Sequence, residues 1–500
     1  MGTGRTVYLE TMGCQMNVLD SELVMGRLRA LGYEPVEDMR RADVVLLNTC
    51  SVRDHAEQKV LSRLGALKKP KLSNPDMVVG VIGCMAERDP DGLIEKMPHV
   101  DLICGPGELN KVPALIDEVR DHRTRAIALA QSLSRKSTPL QRGLEFDSVE
   151  ALDLSRDPAP GETVLQSYIR VQRGCDKFCT FCVVPFTRGP ERSRPPHLIV
   201  DEARMLADRG AKEVTLIGQT VNSYVHPENG REVRFAELLT RVADVPGIER
   251  VRFVTSYPGD FTDDILDVMR DVPKVCNYLH IPAQSGSDVV LTRMRRQYSA
   301  SQYVELIDRA RERVPDLCVA SDFIVGFCGE TEKDHEATLS LVERCRFKNI
   351  FVFKYSPRPG TVADKRMEDD VPEETKRRRN VELLKAQETI SLEANRRLIG
   401  RKVRVLVEGF SKAAIKAQEA EQSRGEEVGW RRSDQLVGRT RGDQIVVFPG
   451  KPEHIGRFAD VRVTAATGLT LHGALVEATL SEVPPVRESR SIGLSVLGTA

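Results

Sequence analysis

RGCDKFCTFC, residues Arg173–Cys182, places Cys175, Cys179 and Cys182 at C-x3-C-x2-C spacing directly after the strand-like run SYIRVQ. One loop of this spacing can wrap three thiolates around one face of a cuboidal iron-sulfur cluster. Three thiolates on four irons leave one iron open, and an open iron is a substrate or cofactor site rather than a pure electron-transfer site. The competing readings are a zinc knuckle short of its fourth ligand, or unrelated buried thiols. No nearby His or Cys completes a zinc site.

Outward from this loop, SYIRVQRGC opens a series that continues with EVTLIGQ, RVRFVTS, CNYLHIP, CVASDFIVGF and NIFVFKYS, each followed by at least ten residues of helical pattern. Six βα units predict a partial (βα)6 barrel of the TIM type over 163–396. The segments Gly218–Asn222, Ser256–Pro258, His280–Ser285, Asp322–Glu330 and Tyr355–Thr361 then fall at the carboxyl ends of strands and ring one mouth. His280 alone would more often be an ordinary satisfied histidine, whereas HIPAQSGS after a strand reads as a site.

Upstream, TVYLETMGC, VVLLNTC and VVGVIGC alternate with amphipathic stretches, predicting a Rossmann-like parallel α/β domain over 5–122. Cys14, Cys50 and Cys84 each end a strand and precede a helix, so all three lie along one carboxyl edge. Helix amino termini there favour thiolates. Any one of them is as readily a buried strand cysteine. Together they predict a second cluster with three thiolates. Cys104, after the strand-like DLIC, is read as a buried strand cysteine, and Cys276, Cys318, Cys328 and Cys345 as structural.

Residues 123–162 read as a linker, and Glu373–Leu398 as a charged helix whose KRRR run, Lys376–Arg379, forms an exposed face. VRVLVEG, QLVGRT, QIVVFPG and DVRVTAA make a small all-β module over 397–476, interrupted by a loop or short helix at Ser411–Glu427. Residues 477–500 read as a disordered tail. A chain of 500 residues suits two or three domains. Its 73 basic and 73 acidic residues cancel, so a nucleic-acid surface must be a local patch. Eleven cysteines, an odd number without even spacing, argue against a secreted disulfide framework. No apolar run of about eighteen residues and no secretory signal are present, which predicts a cytoplasmic protein without membrane contact. Met1–Thr6 fits a loose myristoylation pattern, outweighed by Val7 as the first residue of a buried strand.

The cysteine spacing, with Phe181 before the last cysteine, resembles the radical S-adenosylmethionine superfamily. The resemblance implies that S-adenosyl-L-methionine chelates the open iron and is cleaved to methionine and a 5′-deoxyadenosyl radical. It makes Phe181, Gly218, Gln219, Asn222, His280, Gln284, Ser285, Asp322 and Gly326 the candidate cofactor-binding residues, with Gly326 and Gly329 letting backbone approach the cofactor. GCQMN (Gly13–Asn17), NTCSVR (Asn48–Arg53), GCMAE (Gly83–Glu87), HIPAQSGS, MRRQYS, SDFIVGF and FKYSPRPGT extend the resemblance to the methylthiotransferases, from about Arg5 to Val476. GCQMN with NTCSVR looks like the branch that converts N6-isopentenyladenosine at tRNA position 37 to its 2-methylthio derivative. The alternatives are the branches acting on threonylcarbamoyladenosine or a ribosomal protein, and, in another class, an RNA-binding protein with structural metal.

The family resemblance implies two 4Fe-4S clusters, with Cys14, Cys50, Cys84, Cys175, Cys179 and Cys182 as ligands and catalytic residues. It also implies a flavodoxin- or ferredoxin-type electron donor, a sulfur donor, a monomer and a tRNA partner. The β module resembles the TRAM domain, with Lys402, Arg404, Arg431, Arg432, Arg439 and Arg441 as candidate phosphate contacts. Departures from the family pattern are Cys328 for proline, Thr220 for asparagine and Tyr257 for histidine.

Overall fold

The apolar runs VVLLNT and VVGVIG form the strands Val44–Thr49 and Val78–Gly83, in which every residue is buried. Burial on both faces is what a parallel sheet covered by crossover helices demands. The computed structural model describes residues 5–51, 54–130, 152–153, 164–423 and 435–478. Most of the expected 123–162 linker, the chain after Ala478, Arg53, Arg431 and Arg432 lie outside the described residues, and the expected 477–500 tail is corrected at its start, where Glu477 and Ala478 belong to a strand.

The amino-terminal sheet is all parallel, in the order Tyr33–Pro35, Arg5–Met12, Val44–Thr49, Val78–Gly83, Leu102–Cys104, Ala126–Ala128. Its core splits into two clusters, one on each face. The six expected barrel strands are present as Gln166–Arg170, Glu213–Ile217, Arg250–Phe253, Tyr278–His280, Cys318–Val325 and Asn349–Lys354. They form two three-stranded parallel sheets, stitched by a Val251–Val275 bridge and by Cys276 N donating to the Val251 carbonyl at 2.9 Å. Among the described residues no pairing joins the first strand to the sixth, so the barrel is open on that side.

The helix Glu373–Arg396 covers the strand Asn349–Lys354, which corrects the reading of KRRR as an exposed face. Positions three apart share a helix face. Lys376 and Arg379 are accordingly each only 3% exposed. Lys376 bonds Asp369 and the Tyr355 carbonyl, and Arg379 pairs with Glu330 at 3.0 Å. Arg377 and Arg378 alone face solvent.

The carboxyl-terminal module is a closed five-stranded barrel. Its fifth strand, Thr470–Ala478, lay unread in the sequence and closes the barrel by pairing with both Ile445–Pro449 and Phe458–Ala466. The Ser411–Glu427 interruption is a helix, Lys412–Ser423, over its described part. The turn after Arg439 is pressed against the amino-terminal ends of the (βα)6 strands. Arg252 donates to the carbonyls of Thr440 (2.6 Å) and Arg441 (2.9 Å), Arg250 to that of Arg439 (2.7 Å), and Lys348 pairs with Asp443 at 3.1 Å. The small barrel therefore closes the end opposite the mouth.

The amino-terminal unit meets the other end. Asp20, fully buried on the helix Gln15–Ala30, accepts from Arg170 at 3.0 Å with one oxygen and from Arg188 at 2.8 Å with the other. Arg170 ends the first barrel strand and is itself 1% exposed. Breaking a buried pair by removing one partner leaves an uncompensated charge and costs about 3–5 kcal/mol. Asp20→Asn is expected to lower stability by that amount in urea unfolding. An unchanged midpoint would show that the clamp does not hold the two units together.

Candidate functional site

The first cysteine trio is positioned by two asparagines. Asn17 donates through Nδ2 to Asn48 Oδ1 at 2.9 Å, and Asn48 returns a bond to the Asn17 carbonyl at 2.9 Å and another to Ser21 Oγ at 2.9 Å. Both asparagines are fully buried, so a lost partner would be costly. This amide pair ties the helix that starts after Cys14 to the strand that ends before Cys50. Cys14 Sγ lies 3.2 Å from Asn17 Oδ1. Gly83, at φ +97°, backs onto the same pair, where a Cβ would strike Asn48 Oδ1, and the helix Cys84–Arg88 starts at once after it. The asparagines of GCQMN and NTC and the glycine of GCMAE are thus packed on one another where the three cysteine-bearing segments meet.

Cys14 and Cys50 are hydrogen-bonded, and this bond is the largest influence holding the Cys14 thiol down to about 6 against its burial, with Arg188 assisting. Burial pushes the Cys84 thiol up, opposed by the charge of Arg188 and a hydrogen bond from it. Cys104 ends the neighbouring strand, paired with Ile82, and is fully buried, its thiol pushed up by burial and by Glu108 and Glu87.

The second trio sits on the loop after Gln166–Arg170. Cys175 N donates to the Gly189 carbonyl at 3.2 Å and Cys182 N to that of Cys179 at 3.0 Å. Thr180 anchors the loop to the Met294 and Arg293 carbonyls at 3.2 and 2.9 Å. Phe181 meets the Phe327 ring edge-on at 6.3 Å. Burial raises the thiols of Cys175 and Cys182, to about 11 and about 12, and each rises further from its cysteine neighbours. Thiols held protonated by burial give up their protons when a metal binds. Among the described residues no three His, Cys, Asp or Glu side chains close around one point as a single ion requires. A cuboidal cluster differs in its demand, since it takes each thiolate on a separate iron.

Beside each trio stands an arginine that the sequence reading did not single out. Arg188, 7% exposed, faces Cys84 and Cys14, and despite the cost of burial those thiols and Asp20 favour its charge. Arg296 donates from Nη1 to Cys179 Sγ at 3.2 Å and stacks on Tyr257 and Tyr298, with centroids at 5.2 and 5.5 Å. Tyr257, a departure from the family pattern, is thus a platform, and Lys177 covers its ring at 4.8 Å. Arg188 and Cys182 are six residues apart, joined by the helix Val184–Thr187, which packs on Cys84–Arg88. One short segment therefore links the loop of the second trio to the surroundings of the first. The signal for Arg296 was its place in MRRQYS, a block matched only as a block.

The mouth residues divide into two groups. Buried polar atoms of Gln172, Gln219 and Ser256, after three successive strands, lack a partner among the described residues and suit a polar cofactor. His280 is held between Thr255 N and Asp322 Oδ1, each at 3.2 Å. Thr255 at φ +66° and Gln284 at φ +68° are left-handed, strain of the kind that concentrates at functional sites. Gly218 is pinned through its carbonyl by the Thr255 hydroxyl at 2.6 Å.

Four other candidates are engaged by groups of the chain itself. Asn222 closes both ends of its amide on the Tyr257 backbone (2.8 and 2.6 Å) and so positions that loop. Ser285 faces Thr338 at 3.3 Å. At Gly326 a Cβ would collide with the stem of Lys376, and at Gly329 with Arg293, so both glycines make room for side chains of the chain itself. Of the other departures, Thr220 Oγ1 is 2.7 Å from Glu191, and Cys328 is buried beside Phe327 and Tyr355.

Comparison with known proteins follows this division. Residues 6–105 match the uncharacterized protein family UPF0004, 169–342 the radical SAM superfamily, and 426–476 the TRAM domain. A tRNA-2-methylthio-N(6)-dimethylallyladenosine synthase of Rhodopirellula baltica is 47% identical over 475 residues, covering 94% of this chain and 95% of the relative. A synthase of the same name from Bacteroides fragilis is 42% identical over 474 residues (94% and 95%), and one from Thermoanaerobacter sp. 40% over 478 (95% and 94%).

Arg296 yields a prediction. A cation beside a cluster sulfur stabilises the reduced, more negative state. Arg296→Leu is expected to lower the reduction potential of the barrel cluster in an EPR-monitored redox titration. A potential that stays put or rises would deny the contact its electrostatic role.

Proposed function

The chain belongs to the tRNA-2-methylthio-N(6)-dimethylallyladenosine synthases, and from that premise we propose how its two cysteine trios divide the reaction. It is a radical S-adenosylmethionine methylthiotransferase that replaces the C2 hydrogen of N6-isopentenyladenosine at position 37 of tRNA with a methylthio group. The adenine C2–H bond is strong and unactivated, so its hydrogen is removed by a radical. When bound, the cofactors supply reductive cleavage of S-adenosylmethionine to a hydrogen-abstracting radical at one trio and a sulfur-holding open iron at the other.

Cys175, Cys179 and Cys182 hold the radical-generating cluster, and Arg296 sets the charge at Cys179. Gln219, Ser256 and the His280–Asp322 pair take the polar groups of S-adenosylmethionine at the mouth. Cys14, Cys50 and Cys84 hold the second cluster, with Arg188 against Cys84. The observation that carries this division is the reach of Arg188, six residues after Cys182, to a cysteine of the other trio. Sulfur prepared at one trio then lies close to the base activated at the other. The electron comes from a flavodoxin- or ferredoxin-type protein and the sulfur from a separate donor, and the enzyme works as a monomer.

Two measurements test the assignment. Digested tRNA from a strain lacking the gene is expected to lose 2-methylthio-N6-isopentenyladenosine and accumulate the unthiolated nucleoside by mass spectrometry; an unchanged profile sinks the substrate. In reconstituted protein, Cys179→Ala should abolish 5′-deoxyadenosine formation. Cys50→Ala should retain it while thiolation is lost, and loss of both activities would refute the division of labour.

A further inference from the structure

The helix Val184–Thr187 carries an aromatic side chain that stands in water. Phe186 is 59% exposed, and among the described residues it is the only Phe, Tyr or Trp left exposed. The other large apolar side chains in solvent are all Leu, Ile or Val. Rings around the second trio are otherwise engaged by the chain. Phe181 meets Phe327, Tyr257 lies under Lys177 and Arg296, and Tyr298 shares that arginine. Phe186 has no ring or cation partner among the described residues.

The local backbone fixes which flank of the segment the ring occupies. Val183 is already helical, at φ −92° and ψ −11°, Phe186 N donates to its carbonyl at 3.0 Å, and the Val184 N–H faces the Cys182 sulfur. With 3.6 residues per turn, Phe186 lies about 40° around the turn from Cys182 and about 160° from Arg188. Val183 and Thr187, both buried, root the turn in the protein. One flank therefore carries a thiol of the second trio and the exposed ring, and the other carries the cation that serves the first trio.

The adenine to be thiolated has its edges committed. C2 must meet the radical, and N6 carries the isopentenyl group. Its two faces remain for binding, and an aromatic side chain takes a face while leaving the edges free. An enzyme that works on a base takes it out of its stack. Bases splayed from RNA loops are received on aromatic side chains.

We propose that Phe186 stacks on the face of the adenine that is thiolated and so holds its C2 edge for hydrogen removal. The inference deepens the substrate assignment and rests on it. A phenyl ring offers no hydrogen bond, so this contact fixes the plane of the base without reading its identity.

The test uses the reconstituted holoenzyme and three anticodon stem-loops, carrying isopentenyladenosine, plain adenosine or an abasic site at position 37. Affinities are measured for the parent, for Phe186→Leu, which keeps apolar bulk without an aromatic face, and for Phe186→Trp, which keeps both. Phe186→Leu is expected to bind the two adenosine RNAs at least about fivefold more weakly, the lower end of the usual worth of a base–aromatic stack, and the abasic RNA as tightly as the parent. Phe186→Trp should match the parent on all three. With deuterium at C2 of the isopentenylated substrate, the share of 5′-deoxyadenosine that carries deuterium should fall in Phe186→Leu, because a loosely held base is missed by the radical. An equal loss on all three RNAs would place the ring against backbone or protein, and a loss confined to the isopentenylated RNA would place it against the alkyl tail. Either result overturns the proposal, as does no loss at all or a loss in Phe186→Trp equal to that in Phe186→Leu. A parent enzyme that methylthiolates none of the RNAs would fail the substrate assignment instead, a result distinct from failure at Phe186.

Discussion

A single carboxylate organises this molecule. Asp20 is fully removed from water, and each of its oxygens takes an arginine from the (βα)6 barrel. A buried acid is tolerable only when its charge is met and its lone pairs are used. That requirement brings Arg170 to the end of its strand and Arg188 across the boundary between the units. Once Arg188 is there, its guanidinium lies among Cys84, Cys14 and Asp20 and is favoured in its charged form. The electrostatics that join the units also place a cation at the first trio.

The rest of the architecture follows from using one end of a parallel sheet twice. In both α/β units the cysteines lie where strands end and loops or helices begin, so both trios lie at carboxyl ends. Joining those ends sets both cysteine-bearing edges at the junction between the units. The opposite end of the barrel is left for the small β barrel, held by Arg250 and Arg252 donating to the carbonyls of Arg439, Thr440 and Arg441. The cysteine-bearing loops and the small barrel thus occupy opposite ends of one scaffold. Arg439 shows the consequence for the expected phosphate contacts. It pairs with Glu408 and Asp443 and serves the junction, whereas Arg404 is exposed.

Much of the fold and site was legible in the residues because it is local. Strand runs buried on both faces read as continuous apolar stretches, and the C-x3-C-x2-C loop carries its geometry in its spacing. The strand Thr470–Ala478 escaped because TLHGALVEA interrupts its alternation with glycine and alanine, and only closure of the barrel supplies its partners. Lys376 and Arg379 were misplaced for a related reason: a charged run looks solvated until a neighbouring element covers one face of its helix. Gly326 looked like an approach for a ligand, yet the approaching group is Lys376, more than forty residues along the chain.

By itself, then, the sequence determined the two cysteine trios, the order of α/β and β units and the family to which the chain belongs, since each depends on residues close in the chain. Only the tertiary structure decided that Arg188 and Arg296 stand on those trios, that Asn222 supports a loop, and that the small barrel seals the far end. Those facts depend on groups brought together from distant positions, where burial makes a charge or an amide choose its partner. Spacing along the chain carries no record of that choice.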